Sequence, residues 1–324
     1  MKRGQPRDTD RTPIAVSGLM AGALFALIWS GSFIATKIAL PIAPPLWLSA
    51  ARLTAAALLL LPFVGAQALA WFRAAPAAHR IRLVAAAALI QSYYLGAVFY
   101  ALDTLPAALV SIVGSSLPLI SIPIATVLLG ERASAREAFA TAGAVISLAV
   151  VILGREHGPQ FDAGVLSPAV VLMLSAVLAL AVGNTLLKPV IGRDSVIPLL
   201  ALQLIVGSVL SLVMAGLIEG PPRLMHWDGG MLLAFLYLVV MGSIAGTWLW
   251  VVVLRRFSAI GASGFFLLTP LFGIALGFLI LHERLTTVQL AGTATLCLMI
   301  VIRAAGQHRS RRPATEDDRE EQAT

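Results

Sequence analysis

Long apolar runs alternate along this chain with short polar or charged connections. Ten runs, at 14–38, 46–66, 82–102, 106–129, 136–154, 165–187, 196–218, 230–253, 259–281 and 286–303, stand out. Each is close to the roughly 20 residues that a helix needs to cross about 30 Å of hydrocarbon, the fifth and tenth being the shortest. The pattern predicts an all-α integral membrane protein with ten transmembrane helices. The first run lacks a small-residue cleavage site and reads as a retained helix. Residues 1–13 and 304–324 are polar and charged, too poor in apolar side chains to build a core, and are expected to be disordered tails.

The pattern repeats. Leu109–Arg132 is an apolar run with Pro118 in its middle and Glu131-Arg132 at its end, and Ser263–Arg284 has Pro270 in its middle and ends on Glu283-Arg284. Proline to glutamate is 13 residues in both, and the copies lie about 152 residues apart. A second landmark keeps nearly the same register: Lys37 and Lys188, 151 residues apart, each end a run that another apolar run follows, and the same offset sets Arg52 against Gln203. The expected organisation is an N-terminal tail at 1–13, a five-helix repeat at 14–154, a second at 155–303 and a charged C-terminal tail at 304–324.

Charge sets the expected orientation. Of the 23 Lys and Arg residues, 18 fall in the two tails and the alternate connections near 67–82, 130–136, 188–195 and 254–258. Positive residues stay cytoplasmic, which puts both termini in the cytoplasm. Five helices per repeat is an odd number, so the second copy enters the membrane upside down. Inverted repeats of this kind mark secondary transporters, with substrate held near the midplane between the halves. The composition agrees: 59% of residues are hydrophobic and 12% charged, against about a quarter charged in soluble domains. The net charge of +7 therefore reflects orientation, and nucleic-acid binding is excluded.

The ordered pieces Trp29-x-Gly31-x-Phe33-x-x-x-Lys37, Pro44-Pro45, Arg52, Pro118…Gly130-Glu131-Arg132 and Pro270…Glu283-Arg284-Leu285-Thr286-x-x-Gln289-x-x-Gly292 resemble the drug/metabolite transporter superfamily, of the EamA type. The resemblance covers 14–303. It implies a multi-pass carrier of the plasma membrane (the bacterial inner membrane) that exports or exchanges small metabolites. It also implies that helices 1, 3, 4, 6, 8 and 9 surround a central cavity, with 5 and 10 peripheral. Amino acids or their relatives are the first substrate class it suggests. The second half departs from the pattern, with Leu180 and Asn184 where Trp29 and Phe33 stand and His282 in place of the Gly130 equivalent.

Candidate transport residues follow from polarity inside apolar runs. Pro118 and Pro270 each remove a helix hydrogen bond and free a carbonyl. Ser115, Ser116 and Thr269 stand beside them, placed to satisfy those carbonyls or to bind substrate. Lys37, Lys188 and Arg52 lie near run ends, either as anchors that snorkel to the interface or as cationic groups drawing carboxylates into the path. Gln91 and Asn184 carry amides that need partners in hydrocarbon. They face a cavity or join helices, as do Tyr93, Tyr94, Tyr100, Trp248 and Trp250, the aromatics near run ends having the interfacial belt as a further alternative. Trp29 sits well inside the first run and suits stacking on a planar substrate. Glu131 with Arg132, and Glu283 with Arg284, are local ion pairs or caps for the next helix, with gating as the alternative.

Several classes are set aside. The histidines lie in loops, ends or tails without metal spacing. There is no Walker-type loop and no nucleophile triad, so the chain is expected to be no enzyme and to use no cofactor. Cys297 is single and apolar in setting. No Asp or Glu lies mid-run, so export or exchange is expected to run downhill, or to couple through a residue at a helix end. The expected partners are a small-molecule substrate and the lipid bilayer. The small-residue stretch Ala140–Ser147 offers a packing face to a second copy, making a homo-oligomer, or to neighbouring helices. Rival readings are the same fold carrying drugs, nucleotide precursors or sugar conjugates, a non-transporting scaffold, and a lipid-active membrane enzyme.

Overall fold

The structure, a computed structural model, describes residues 12–41, 43–105, 107–153, 167–192, 194–222, 227–281, 291–292, 294–300 and 302. The described chain is all helical, in ten helices. α1 is Thr12–Ala39, α2 Pro45–Ala74 and α3 Ala77–Thr104. α4 comes in two segments, Ala107–Ser115 and Leu117–Leu129, and α5 is Ala135–Leu153. α6 is Pro168–Leu187, continued by a 3₁₀ turn at Lys188–Val190, α7 is Val196–Glu219 and α8 Gly229–Arg256. α9 opens as Ala259–Ser263, tightens to 3₁₀ over Gly264–Leu268 and resumes as Thr269–Leu281. α10 is described at 291–292, 294–300 and 302. The N-terminal tail to residue 11, the C-terminal tail, and Glu283 with Arg284 lie outside the described residues.

Helix ends follow local chemistry. α2 starts on Pro45, whose missing N–H is no loss at a first helical position. It runs to Ala74, eight residues past its expected end at 66, because Gln67-Ala-Leu-Ala-Trp-Phe continues a good helix until Pro76 disfavours it. α5 carries a capping box: Glu137 N donates to Ser134 Oγ at 3.2 Å and Ser134 N to Glu137 Oε2 at 3.0 Å. α6 is capped by Ser167 and α8 by Asp228, whose Oδ1 accepts from Met231 N at 2.7 Å. α4 ends at Gly130, which takes φ 69°, a left-handed conformation open to glycine at little cost.

Six of these helices are each long and apolar enough to cross a membrane. Their outward faces carry large apolar side chains, such as Phe63, Leu217 and Leu233, at 80%, 82% and 71% exposure, the expected partner being lipid. The predicted fourth and ninth spans are not continuous. Each breaks just before its proline, which cannot donate the bond that would join the two pieces.

The halves exchange partners. α1 packs on α8 and α9 of the second half, α6, its counterpart, packs on α3 and α4 of the first, and α2 lies along α7. One hydrophobic core therefore draws on both halves. Close approach needs glycine at two points of α1. A Cβ at Gly22 would fall 2.2 Å from the Phe265 ring, and one at Gly31 would fall 2.2 Å from the Tyr237 hydroxyl. The Ala140–Ser147 stretch is turned inward in part: Ala144 packs with Leu267 and Leu296, and Gly143 faces Met299 of α10.

Candidate functional site

The breaks of α4 and α9 meet α1 at the centre of the bundle. Pro270 leaves the Phe266 carbonyl, four residues earlier, without its helical donor. That carbonyl instead accepts from the Thr269 backbone N–H of the 3₁₀ turn, from Thr269 Oγ1 at 2.7 Å and from Ser115 Oγ of α4 at 3.3 Å. Ser115 Oγ also donates to Ser111 O at 2.8 Å. Ser30 Oγ of α1 reaches the Thr269 carbonyl at 2.7 Å. Ser116 turns back to its own helix, Oγ to Val113 O at 2.6 Å. Three helices from two halves are thus joined through two backbone carbonyls of α9, one of which, at Phe266, has lost its α-helical donor to Pro270.

Against this junction lies an aromatic cluster. Phe25 and Trp29 of α1 stack at 5.5 Å between centroids, and Trp29 stacks on Tyr94 of α3 at 6.1 Å and 11°. Phe33 meets Trp29 edge-on at 6.5 Å. Trp250 of α8 lies 4.8 Å from Phe25 and 5.1 Å from Phe266. The Asn184 amide oxygen accepts from Trp250 Nε1 at 2.9 Å, which ties α6 to the cluster. Trp29 Nε1 is buried without a hydrogen-bond partner among the described residues.

Two segments that periodicity does not signal flank the cluster. α3 is π-helical over Ala88–Tyr94 and α8 over Leu238–Ala245. Such widened turns recur at functional sites, and the 151-residue register makes these two equivalent. It pairs Gln91 with Gly242. Gln91 packs against Gly207 of α7 and its Nε2 donates to Thr247 Oγ1 at 3.3 Å. Gly242 faces Ser32 of α1 and Arg52 of α2. Arg52 is 2% exposed, and its guanidinium carbon lies 5.0 Å from the Phe99 ring centre. Gln203, its counterpart, is also buried.

The charges at helix ends form two matching clamps. Lys37 Nζ donates to the Leu102 carbonyl and, at 3.1 Å, to that of Leu105, at the C-terminus of α3. Lys188 Nζ donates to the Leu254 carbonyl and, at 2.6 Å, to that of Phe257, at the C-terminus of α8. A cation there meets the negative end of the helix dipole. The Glu131 backbone N–H closes the end of its own helix on the Ala125 carbonyl at 3.2 Å, but its side chain caps neither that helix nor the next. Its carboxylate accepts from Ala259 N at 2.8 Å and Ile260 N at 3.0 Å, the N-terminus of α9 in the other half. At the opposite end of the bundle Glu219 of α7 likewise caps α2, accepting from Leu46 N at 2.9 Å and Trp47 N at 3.1 Å. Arg132 is exposed. Trp248, 44% exposed, lines a cavity of about 510 Å³ with Ala21, Gln67, Asp194, Arg255 and Arg256 at the Glu131 end. Tyr93 pairs with Ser175 at 2.8 Å, away from the cluster.

The structure thus brings Trp29, Tyr94, Ser115, Asn184, Thr269 and Pro270 to one central region, with Gln91 and Arg52 beside it. It sets Lys37, Lys188, Glu131 and Trp248 at the ends. Sequence reasoning passed over Phe25, Ser30, Phe99, Tyr237 and Phe266, and saw in Glu219 only an acid at a run end. The offset of 151 was the available signal for Gly242, since it is what aligns that glycine with Gln91. Among the described residues no cluster of three or more His, Cys, Asp or Glu side chains is arranged to hold a metal ion.

The family model described as EamA-like transporter family matches this chain twice, over 16–153 and 167–303. The chain belongs to the EamA-like transporter family. As a member it is a multi-pass membrane transporter and not an enzyme, with a small-molecule substrate and the bilayer as its partners. Curated relatives include Protein PecM of Dickeya dadantii (strain 3937), 27% identical over 85% of this chain and 88% of that protein. A protein named probable amino-acid metabolite efflux pump, from Escherichia coli (strain K12), is 24% identical over 87% of this chain and 93% of its own length. A solved crystal structure shares the fold with a TM-score of 0.70 at 17% identity, over 92% of this chain and 99% of the other.

Proposed function

We propose that this EamA-like protein is a secondary carrier of the bacterial inner membrane that exports amino acids or related metabolites. In this reading residues 14–154 and 155–303 are the two inverted repeats, and both termini face the cytoplasm, as the distribution of Lys and Arg supports. They rock about the central junction in alternating access. The observation that carries the reading is the junction itself. Two proline-broken helices from opposite halves share one carbonyl, at Phe266, beside an aromatic cluster with an unpartnered indole N–H. Such a junction moves by exchanging a few hydroxyl bonds, and its aromatic wall suits the apolar part of an amphipathic substrate. Trp29, Tyr94, Gln91, Asn184, Ser115 and Thr269 line the path. Lys37 and Lys188 fix helix ends, and Glu131 with Arg132 closes the cytoplasmic side. The relatives named as probable amino-acid metabolite efflux pumps support the substrate class and direction.

The test is a metabolite profile of the medium from cells expressing the chain. The controls are an empty vector and a Trp29→Ala, Asn184→Ala double variant. Accumulation of amino acids or close relatives outside wild-type cells alone is expected. An unchanged medium, with the protein confirmed in the membrane, overturns the export reading.

A further inference from the structure

Arg52 carries a charge that the described structure leaves unanswered. It lies about two turns into α2, is 2% exposed, and its Nε has no hydrogen-bond partner among the described residues. A guanidinium stays charged at any accessible pH. Buried in a membrane protein, such a charge needs an opposite one, and an intramembrane charge without a partner marks a functional site. The sequence has no acid in the middle of any of its apolar runs; Glu137, at the start of the fifth, is held in the capping box with Ser134. The acid at the near end of α2, Glu219, is held by the N–H groups of Leu46 and Trp47, about 8 Å along the helix from Arg52 at 1.5 Å per residue.

The surroundings have the form of a site. The Phe99 ring covers one side of the guanidinium at 5.0 Å. Nη1 points to the π-helical turn of α8, where residue 242 has no side chain. A Cβ there would stand 3.6 Å from Arg52 Nη1 and 2.9 Å from Ser32 Oγ. Ser49 Oγ on α2 and Ser211 Oγ on α7, which runs along it, are further buried polar atoms without partners among the described residues. Ser32 is three residues from Trp29 on α1, so the aromatic cluster begins one helical turn below the charge.

We propose that Arg52 is the carboxylate-binding residue of the transport site, with the apolar part of the same substrate lying one turn deeper against Trp29 and Tyr94. This rests on the reading of the chain as an amino-acid carrier and adds the group that recognises the substrate's anionic end. A guanidinium presents two parallel N–H donors to a carboxylate, a geometry that lysine cannot copy. The two halves differ at this place, a charge at 52 and an amide at 203, so the substrate binds in one orientation.

The purified full chain in detergent tests the proposal by equilibrium binding and thermal melting. The probes are the twenty L-amino acids and their carboxamides, which differ in the carboxylate alone. At least one acid is expected to bind, and its amide on the order of 100-fold more weakly, as loss of a paired charge-assisted bond implies. Arg52→Gln should lose that discrimination, and Arg52→Lys should keep part of it. An amide that binds as well as its acid, wild-type affinity for the acid in Arg52→Gln, or the absence of any amino-acid binding overturns the proposal. If Arg52→Gln fails to fold, the acid-to-amide ratio of the wild type decides. The medium profile separates the two readings. Carboxylate-dependent binding without export leaves the Arg52 site standing and removes the exporter, whereas undiminished export by Arg52→Gln does the reverse.

Discussion

Gly31 lies inside the Trp29–Lys37 motif, and the structure gives it a specific physical duty. The Tyr237 hydroxyl from α8 crosses over it to donate to the Ile28 carbonyl at 3.0 Å. A methyl group at 31 would sit 2.2 Å from that hydroxyl. Gly31→Ala should therefore lower stability by about 1–3 kcal/mol, the usual cost of overpacking, seen as a lower melting temperature in detergent. Gly31→Ala with Tyr237→Phe should recover part of the loss, because the clashing oxygen is gone. A double variant no more stable than the single one would mean that the clash is not the cause. At this scale the sequence was informative about residue types and poor on partners. Gln91 and Asn184 were singled out as amides in hydrocarbon, but that one meets Thr247 and the other Trp250 depends on helices 66 to 156 residues away. Arg52 stood out as a charge near a run end, and the burial that gives it meaning is set by α1, α3 and α8 closing around it.

Among elements, the broken helices α4 and α9 were legible and the π-helical turns were not. A proline names the bond it removes, whereas the π turn in α3 carries no proline or glycine to announce it. Glu131 shows the same limit. A carboxylate just past a helix was expected to form a local ion pair, cap the helix that follows or gate, and its side chain in fact caps α9, because local sequence does not say which N-terminus lies nearby in space. The cap binds the halves together at one end, and Glu131→Gln keeps the shape while removing the charge that meets the positive end of α9. A cysteine reporter among the small residues at 259–263, in a Cys297→Ser background, should then label faster with a membrane-impermeant maleimide from the Glu131 side. Equal labelling rates in the two backgrounds would show that the cap does not restrain opening there.

For the molecule as a whole, the duplication was readable because two landmarks held nearly one offset, 152 and 151 residues, across half the chain. The exchange of partners between halves was not, since nothing along a strand of sequence says that α1 belongs with α8 and α6 with α3. With no acid in the middle of any apolar run, transport is expected to run without proton coupling. Export from preloaded vesicles should keep its rate when a protonophore collapses the pH gradient. A rate that falls with the gradient would instead point to a titrating group at a helix end.

The exchanged packing also bears on how the chain is made. α1 leaves the ribosome first, but its partners α8 and α9 come last, so the early helices stay in the bilayer with their inner faces covered by lipid or by insertion factors. The polar atoms of Ser30 and Arg52 must be sheltered through that interval. Acquisition of the native fold is thus a late event in synthesis, and a chain stopped after five helices is left with half of a core.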